Sequence, residues 1–172
     1  MKYFTSDLHL NHESILKYQK NRAFPDIESM NRHIIDTINK VCTEKDELYI
    51  LGDVLMGARN KGLHLVQQLK PRLHLIRGNH DTFSLAQEEL LFETVQDYAE
   101  VKENKHTIVC LHYPMETWNK SHYGIIHLHG HCHGDNKNIL PNRFDIGWDV
   151  FPRPVSYDEV MSWKSKETVF HH

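Results

Sequence analysis

Five times in this chain, a short apolar run with the composition of a β-strand stops at residues that can bind a metal ion. The stops are Asp7-Leu8-His9, Gly52-Asp53, Gly78-Asn79-His80-Asp81, Leu111-His112 and Gly130-His131-Cys132-His133. Runs this short gain stability only by pairing into sheets. Their polar ends then gather in loops, where a rigid sheet presents side chains to a shared cleft.

The stretches between them favour helices outside the sheets. Residues 2–6, 47–51 and 72–76 read as strands, and 13–20 as a short helix. In 28–41, Met30, Ile34, Ile35, Ile38 and Val41 recur at helical spacing. Leu63, Leu65, Val66 and Leu69 fit a further helix, stopped by Pro71. After a helix near 84–90, strands dominate: 94–103 and 106–111 around a turn at Asn104, then 125–129 and 143–150. Ser156 followed by Glu159 is a capping-box pattern opening a helix over 156–164. The predicted fold class is α/β, a sandwich with helices outside the sheets, as one domain over residues 1–172. His171 and His172 read as a tag remnant.

Composition narrows the function. A net charge of -3 argues against a broad basic surface, so no stable complex with duplex nucleic acid is expected. Three scattered Cys (42, 110, 132) do not make a disulfide framework. With no signal-peptide pattern and no membrane-length apolar stretch, a cytoplasmic location is expected and no membrane partner. The 15 His are far more than a domain this size needs, so only spacing and context can assign a role to any one of them.

The motif spacing has physical content. In extended backbone, residues i and i+2 point the same way. Asp7 and His9 then face one site while Leu8 enters the core, and His131 and His133 do the same around Cys132. Gly52, Gly78 and Gly130 remove Cβ atoms where backbone turns sharply or approaches a ligand. A carboxylate such as Asp53 can bridge two cations, and neutral imidazoles suit Zn, Fe, Ni or Mn. Each motif alone is also a common turn or core pattern; the five together in this order are specific.

In that order the motifs resemble the calcineurin-like metallophosphoesterase superfamily. Its pattern runs Asp-x-His, Gly-Asp, Gly-Asn-His-Asp/Glu, His, Gly-His-x-His. The run Asn11-His12-Glu13-Ser14-Ile15 is similar to the small, single-domain bacterial and phage-type members. The resemblance implies a four-layer sandwich of two mixed β-sheets flanked by helices, and two divalent or transition metal ions (Mn, Ni, Zn or Fe). One would be held by Asp7, His9, Asp53 and His133, the other by Asp53, Asn79, His112 and His131. It also implies that His80 acts on the phosphate or leaving group, oriented by Asp81.

The expected activity is hydrolysis of phosphate esters through a hydroxide bridging the metals. The short chain shows no cap domain, so the cleft is read as open. That favours a phosphodiesterase acting on small nucleotide-like substrates over a phosphomonoesterase of the same fold. A non-catalytic metal-binding scaffold is the third reading. His12, Tyr113 and Arg143 are the candidate substrate contacts. His127 and His129 read as packing residues, and oligomeric state is not written in these motifs.

Overall fold

The computed structural model describes residues 1–56 and 59–165. His171 and His172 lie outside them. In chain order the elements are β1 (Lys2–Thr5), α1 (Ile15–Tyr18), α2 (Ile27–Val41), β2 (Glu47–Ile50), α3 (Arg59–Val66), β3 (Arg72–Ile76) and α4 (Leu85–Leu91). They continue with β4 (Thr94–Gln96), β5 (Ala99–Glu103), β6 (His106–Cys110), β7 (Ile126–His129), β8 (Arg143–Asp145), β9 (Val155–Ser156) and α5 (Tyr157–Ser162).

The strands form two mixed sheets, ordered β4-β3-β2-β1-β9 and β5-β6-β7-β8. In the first, β1 to β4 are parallel and β9 joins the edge antiparallel. In the second, β5 is antiparallel to β6, and β6, β7 and β8 are parallel.

Alternation along the strands builds the layers. Leu48, Ile50, Leu73 and Leu75 pack with Met30, Ile34, Ile35 and Ile38 of α2, so that helix covers the outer face of the first sheet. Phe4 and Ile76 face the other way, onto Val101, Ile108, Cys110, Ile126 and Leu128 of the second sheet and Val160 of α5. A third cluster, Val109 with Trp118, covers the far side of the second sheet. The start of α2 is fixed locally: the Asp26 carboxylate accepts the Ser29 N–H at 2.7 Å. Such a cap stabilises a helix by about 1 kcal/mol.

Three expectations change. The strand expected over 94–103 is two strands in different sheets, with Asp97 and Tyr98 making the crossing. The strand expected over 143–150 ends at Asp145, whose carboxylate accepts the Gly147 N–H at 2.9 Å and turns the chain. It leaves beside β1, where Trp148 N–H donates to the Ser6 carbonyl at 2.9 Å. Only half of the capping box forms at α5: Ser156 Oγ accepts the Glu159 N–H at 3.2 Å, while the Glu159 carboxylate pairs with Arg153.

Candidate metal centre

The carboxyl ends of β1, β2 and β3 carry Asp7, Asp53 and Asn79-His80; those of β6 and β7 carry His112, His131 and His133. Cross-loop hydrogen bonds draw these ends together. Asp7 N–H donates to Gly52 O at 3.0 Å, His9 N–H to Asp53 O at 2.9 Å, and Gly130 N–H to His112 O at 2.9 Å. The Asp7 carboxylate accepts the His131 N–H at 3.0 Å, joining the two sheets at the site.

The local backbone differs from the extended one expected of the Asp-x-His and His-x-His spacings. Asp7, His9, Asp53, His131 and His133 all have positive φ, between 49° and 67°. Non-glycine residues hold that conformation at a cost of order 1 kcal/mol or more each, and only where their surroundings enforce it. Leu8 and Leu10 are nonetheless fully buried in the core, as expected. The glycines act as anticipated. A Cβ on Gly130 would overlap Ser6 Oγ and Asp7 Oδ2, one on Gly52 would overlap His112 Nδ1, and one on Gly78 would lie 2.8 Å from Asp53 N.

Ligand atoms of Asp7, His9 and His133 lie within 4.8 Å of one another, and so do those of Asp7, Asp53 and His112. Asp53 Oδ2 stands 3.6 Å from His9 Nε2 and 3.7 Å from His112 Nε2, between the two groups. Asn79 Oδ1 is 3.1 Å from His112 Nε2, and the His131 ring is 5.1 Å from that of His112. All seven expected ligands therefore border one cleft. Asp7 belongs to both groups, a share that the resemblance gives to Asp53 alone.

The residues fit metal ions. His9 Nε2 is buried without a hydrogen-bond partner, facing Asp53 and Asp7 at 3.6 and 3.9 Å. Gaps of that size are too long for hydrogen bonds but suit two ligands sharing an ion at roughly 2.0–2.2 Å from each. Burial holds His9 neutral, its pKa lowered to about 2, and raises that of Asp7 to about 6 despite His112 and His133 nearby. A carboxylate buried at that disadvantage calls for a cation. His112 Nδ1 sits 2.7 Å from the Leu51 carbonyl, so it carries the proton and leaves Nε2 free to ligate.

His80 is exposed at the cleft, its ring 6.0 Å from that of His9. His12 Nδ1 lies 3.1 Å from His9 Nδ1, and the Tyr113 ring 4.7 Å from that of His131; both border the cleft. Arg143 does not. It is 7% exposed, and its guanidinium donates to the backbone carbonyls of Met115 and Asn138. It ties two loops together through these carbonyls, which replace the expected substrate contact.

Asp81 is also placed differently. The sequence reading has it orient the His80 ring, yet its oxygens accept the N–H groups of Asp53 (2.7 Å), Val54 (2.9 Å) and Gly78 (2.9 Å). Burial keeps its pKa above the ordinary carboxylate value in spite of those donors. Two of the three N–H groups belong to the loop carrying Asp53.

Sequence reasoning missed Arg22 and Asp149. The Arg22 guanidinium, 2% exposed, grips both Asp149 oxygens at 2.8 Å and donates to Leu8 O at 2.9 Å and Asp7 O at 2.5 Å. Asp149 Oδ2 in turn accepts from His133 Nδ1 at 2.6 Å. Burial works against ionised Asp149, but Arg22 and His133 prevail and lower its pKa to about 2. Neither residue lies in a motif, and no periodicity marks a pair 127 positions apart.

The chain matches the family model for calcineurin-like phosphoesterases over residues 3–172. It is 31% identical to an uncharacterized protein of Methanocaldococcus jannaschii over 97% of this chain and 93% of the other. The Gene 66 protein of Mycobacterium phage L5 is 27% identical, over 92% and 91%. Among solved structures, a protein of unknown function from Aquifex aeolicus superposes with a TM-score of 0.77 at 22% identity, over 94% and 98%, a likeness of fold.

Proposed function

We propose that this chain, which belongs to the calcineurin-like phosphoesterase family, hydrolyses small phosphodiesters with two metal ions in the cleft between its sheets. The observation that carries this reading is Asp53 Oδ2 standing between His9 Nε2 and His112 Nε2, at 3.6 and 3.7 Å. One carboxylate so placed can serve two ions. Asp7, His9, Asp53 and His133 would hold one, and Asp53, Asn79, His112 and His131 the other. Cations such as Mn, Ni, Zn or Fe would supply Lewis acidity, withdrawing charge from the phosphate oxygens and making a water a better nucleophile.

The protein's own groups do the rest. Exposed at the cleft, His80 protonates the leaving oxygen or stabilises its charge as imidazolium. Asp81 is a positioning residue that ties the Asp53 loop, through the N–H groups of Asp53 and Val54, to the Gly78 N–H. His12 and the 43%-exposed Tyr113 line the mouth, where a phenol ring can lie against a nucleobase-like group. The excess of negative charge disfavours duplex nucleic acid as substrate. No helix among the described residues is long and apolar enough to cross a membrane.

The test is elemental analysis of the purified chain together with turnover of bis-p-nitrophenyl phosphate and p-nitrophenyl phosphate. Two equivalents of metal and faster diester cleavage are expected. Faster monoester cleavage would make the protein a phosphatase of the same fold. Activity that survives thorough chelation would sink the metal mechanism.

A further inference from the structure

Asp7 and His9 come from the start of the chain, and His133 from its last third. Something must hold these ligands in register, and their own backbone, in left-handed conformations at φ 55°, 49° and 49°, does not favour it. Arg22 spans the gap. Its Nη1 and Nη2 hold the Leu8 and Asp7 carbonyls, while Nε and Nη2 hold Asp149 in a two-point fork. Through Oδ2, Asp149 then reaches the ring of His133 at Nδ1. The Asp149 side chain is fully buried and that of Arg22 is 2% exposed, so this pairing is shielded from water and salt.

The chemistry of the pair dictates the state of His133. A carboxylate forked to a guanidinium can only accept, so the proton sits on Nδ1 and the Nε2 lone pair faces the cleft. We infer that Arg22 and Asp149 are positioning residues that set metal affinity at the Asp7–His9–His133 position selectively, by fixing the His133 tautomer and clamping the Asp7-Leu8 backbone. Apart from Asp7, which borders both groups, the ligands of the other position, Asn79, His112 and His131, have no such contact with the pair among the described residues. Its His112 is fixed instead by the Leu51 carbonyl. The inference rests on the two-metal reading above.

The experiment is a Mn(II) titration of the metal-stripped full chain by calorimetry, comparing the parent with Asp149→Asn and Arg22→Lys. His9→Ala and His131→Ala chains mark which binding step belongs to which position. Both test variants should weaken the Asp7–His9–His133 step about 10–100-fold and leave the other within about threefold. Equal weakening of both steps, or of neither, overturns the inference while leaving two metals in place. A parent chain that binds fewer than two ions overturns the two-metal reading and this inference with it. A second measurement needs no variant to fold. Nitrogen-15 spectra of histidine-labelled, zinc-loaded parent should show the His133 proton on Nδ1; a proton on Nε2 overturns the assignment.

Discussion

Replacing Asp81 separates two roles that one carboxylate could play. In Asp81→Ala, three N–H groups that now donate at 2.7–2.9 Å lose their acceptor. Each unsatisfied buried donor costs about 1–3 kcal/mol, so the total loss is about 3–9 kcal/mol, less whatever an entering water restores. Asp81→Asn keeps an oxygen for the two N–H groups of Asp53 and Gly78 but turns an NH2 toward that of Val54. Its cost is about 1.5–3 kcal/mol, the worth of one hydrogen bond to a charged group. For a domain of this size, 2 kcal/mol lowers Tm by about 4–8 °C. Guanidinium unfolding of the metal-free chains measures the stability loss, and calorimetry with Mn(II) measures the accompanying loss of affinity as the Asp53 loop loosens. A cycle with His80→Ala completes the assay: the two changes should multiply in turnover. The reasoning is refuted if Asp81→Ala unfolds within about 0.5 kcal/mol of the parent and has no effect on turnover once His80 is gone. That pattern would return Asp81 to holding the His80 ring.

Four other outcomes are expected. His80→Ala should retain both metals by elemental analysis and slow turnover about 10²–10⁴-fold; loss of metal would make His80 a ligand. Gly130→Ala should destabilise the fold by about 1–3 kcal/mol and weaken Mn(II) binding, because the added carbon overlaps Ser6 and Asp7; an unchanged denaturation midpoint would contradict the packing. Arg143→Ala should cost about 2–4 kcal/mol in denaturant with KM unchanged, since its partners are the Met115 and Asn138 carbonyls; a KM effect without a stability loss would restore it as a substrate contact. His127 accepts the Met115 N–H at 3.1 Å, and burial lowers its pKa to about 3. The unfolded chain therefore takes up a proton near pH 6.5 that the fold refuses. Its contribution is complete above about pH 6.5 and is lost as pH falls toward 3, on the order of 5 kcal/mol. The metal-free parent should lose stability over that window more steeply than His127→Gln; parallel curves would refute this.

The legible part of the structure was the part that repeats or alternates. Ile34 and Ile38 mark the buried face of α2, and Leu73 and Leu75 one face of β3, because those periods follow from backbone geometry alone. The Gly-His-Cys-His and Gly-Asn-His-Asp runs marked the candidate site because a metal needs particular atoms whatever the fold. What stayed hidden depends on tertiary contact. The left-handed turns at Asp7 and His131 leave no mark in residue type, since aspartate and histidine are ordinary in extended chain. The two-residue β9 is too short for any period to show. Arg22 sits in a stretch with no pattern, and only the folded chain reveals that its charge is buried against Asp149. Arg143 shows the converse: its residue type suggested phosphate, whereas burial gave it two carbonyls.

Joining residues 127 positions apart, the Arg22–Asp149 pair works as a clasp between the two ends of the molecule. The turn at Asn104-Lys105, exposed and far along the chain from both, could be cut without opening it. Two fragments made there would carry four and three of the seven proposed ligands and one residue of the clasp each, so neither alone would have a complete set.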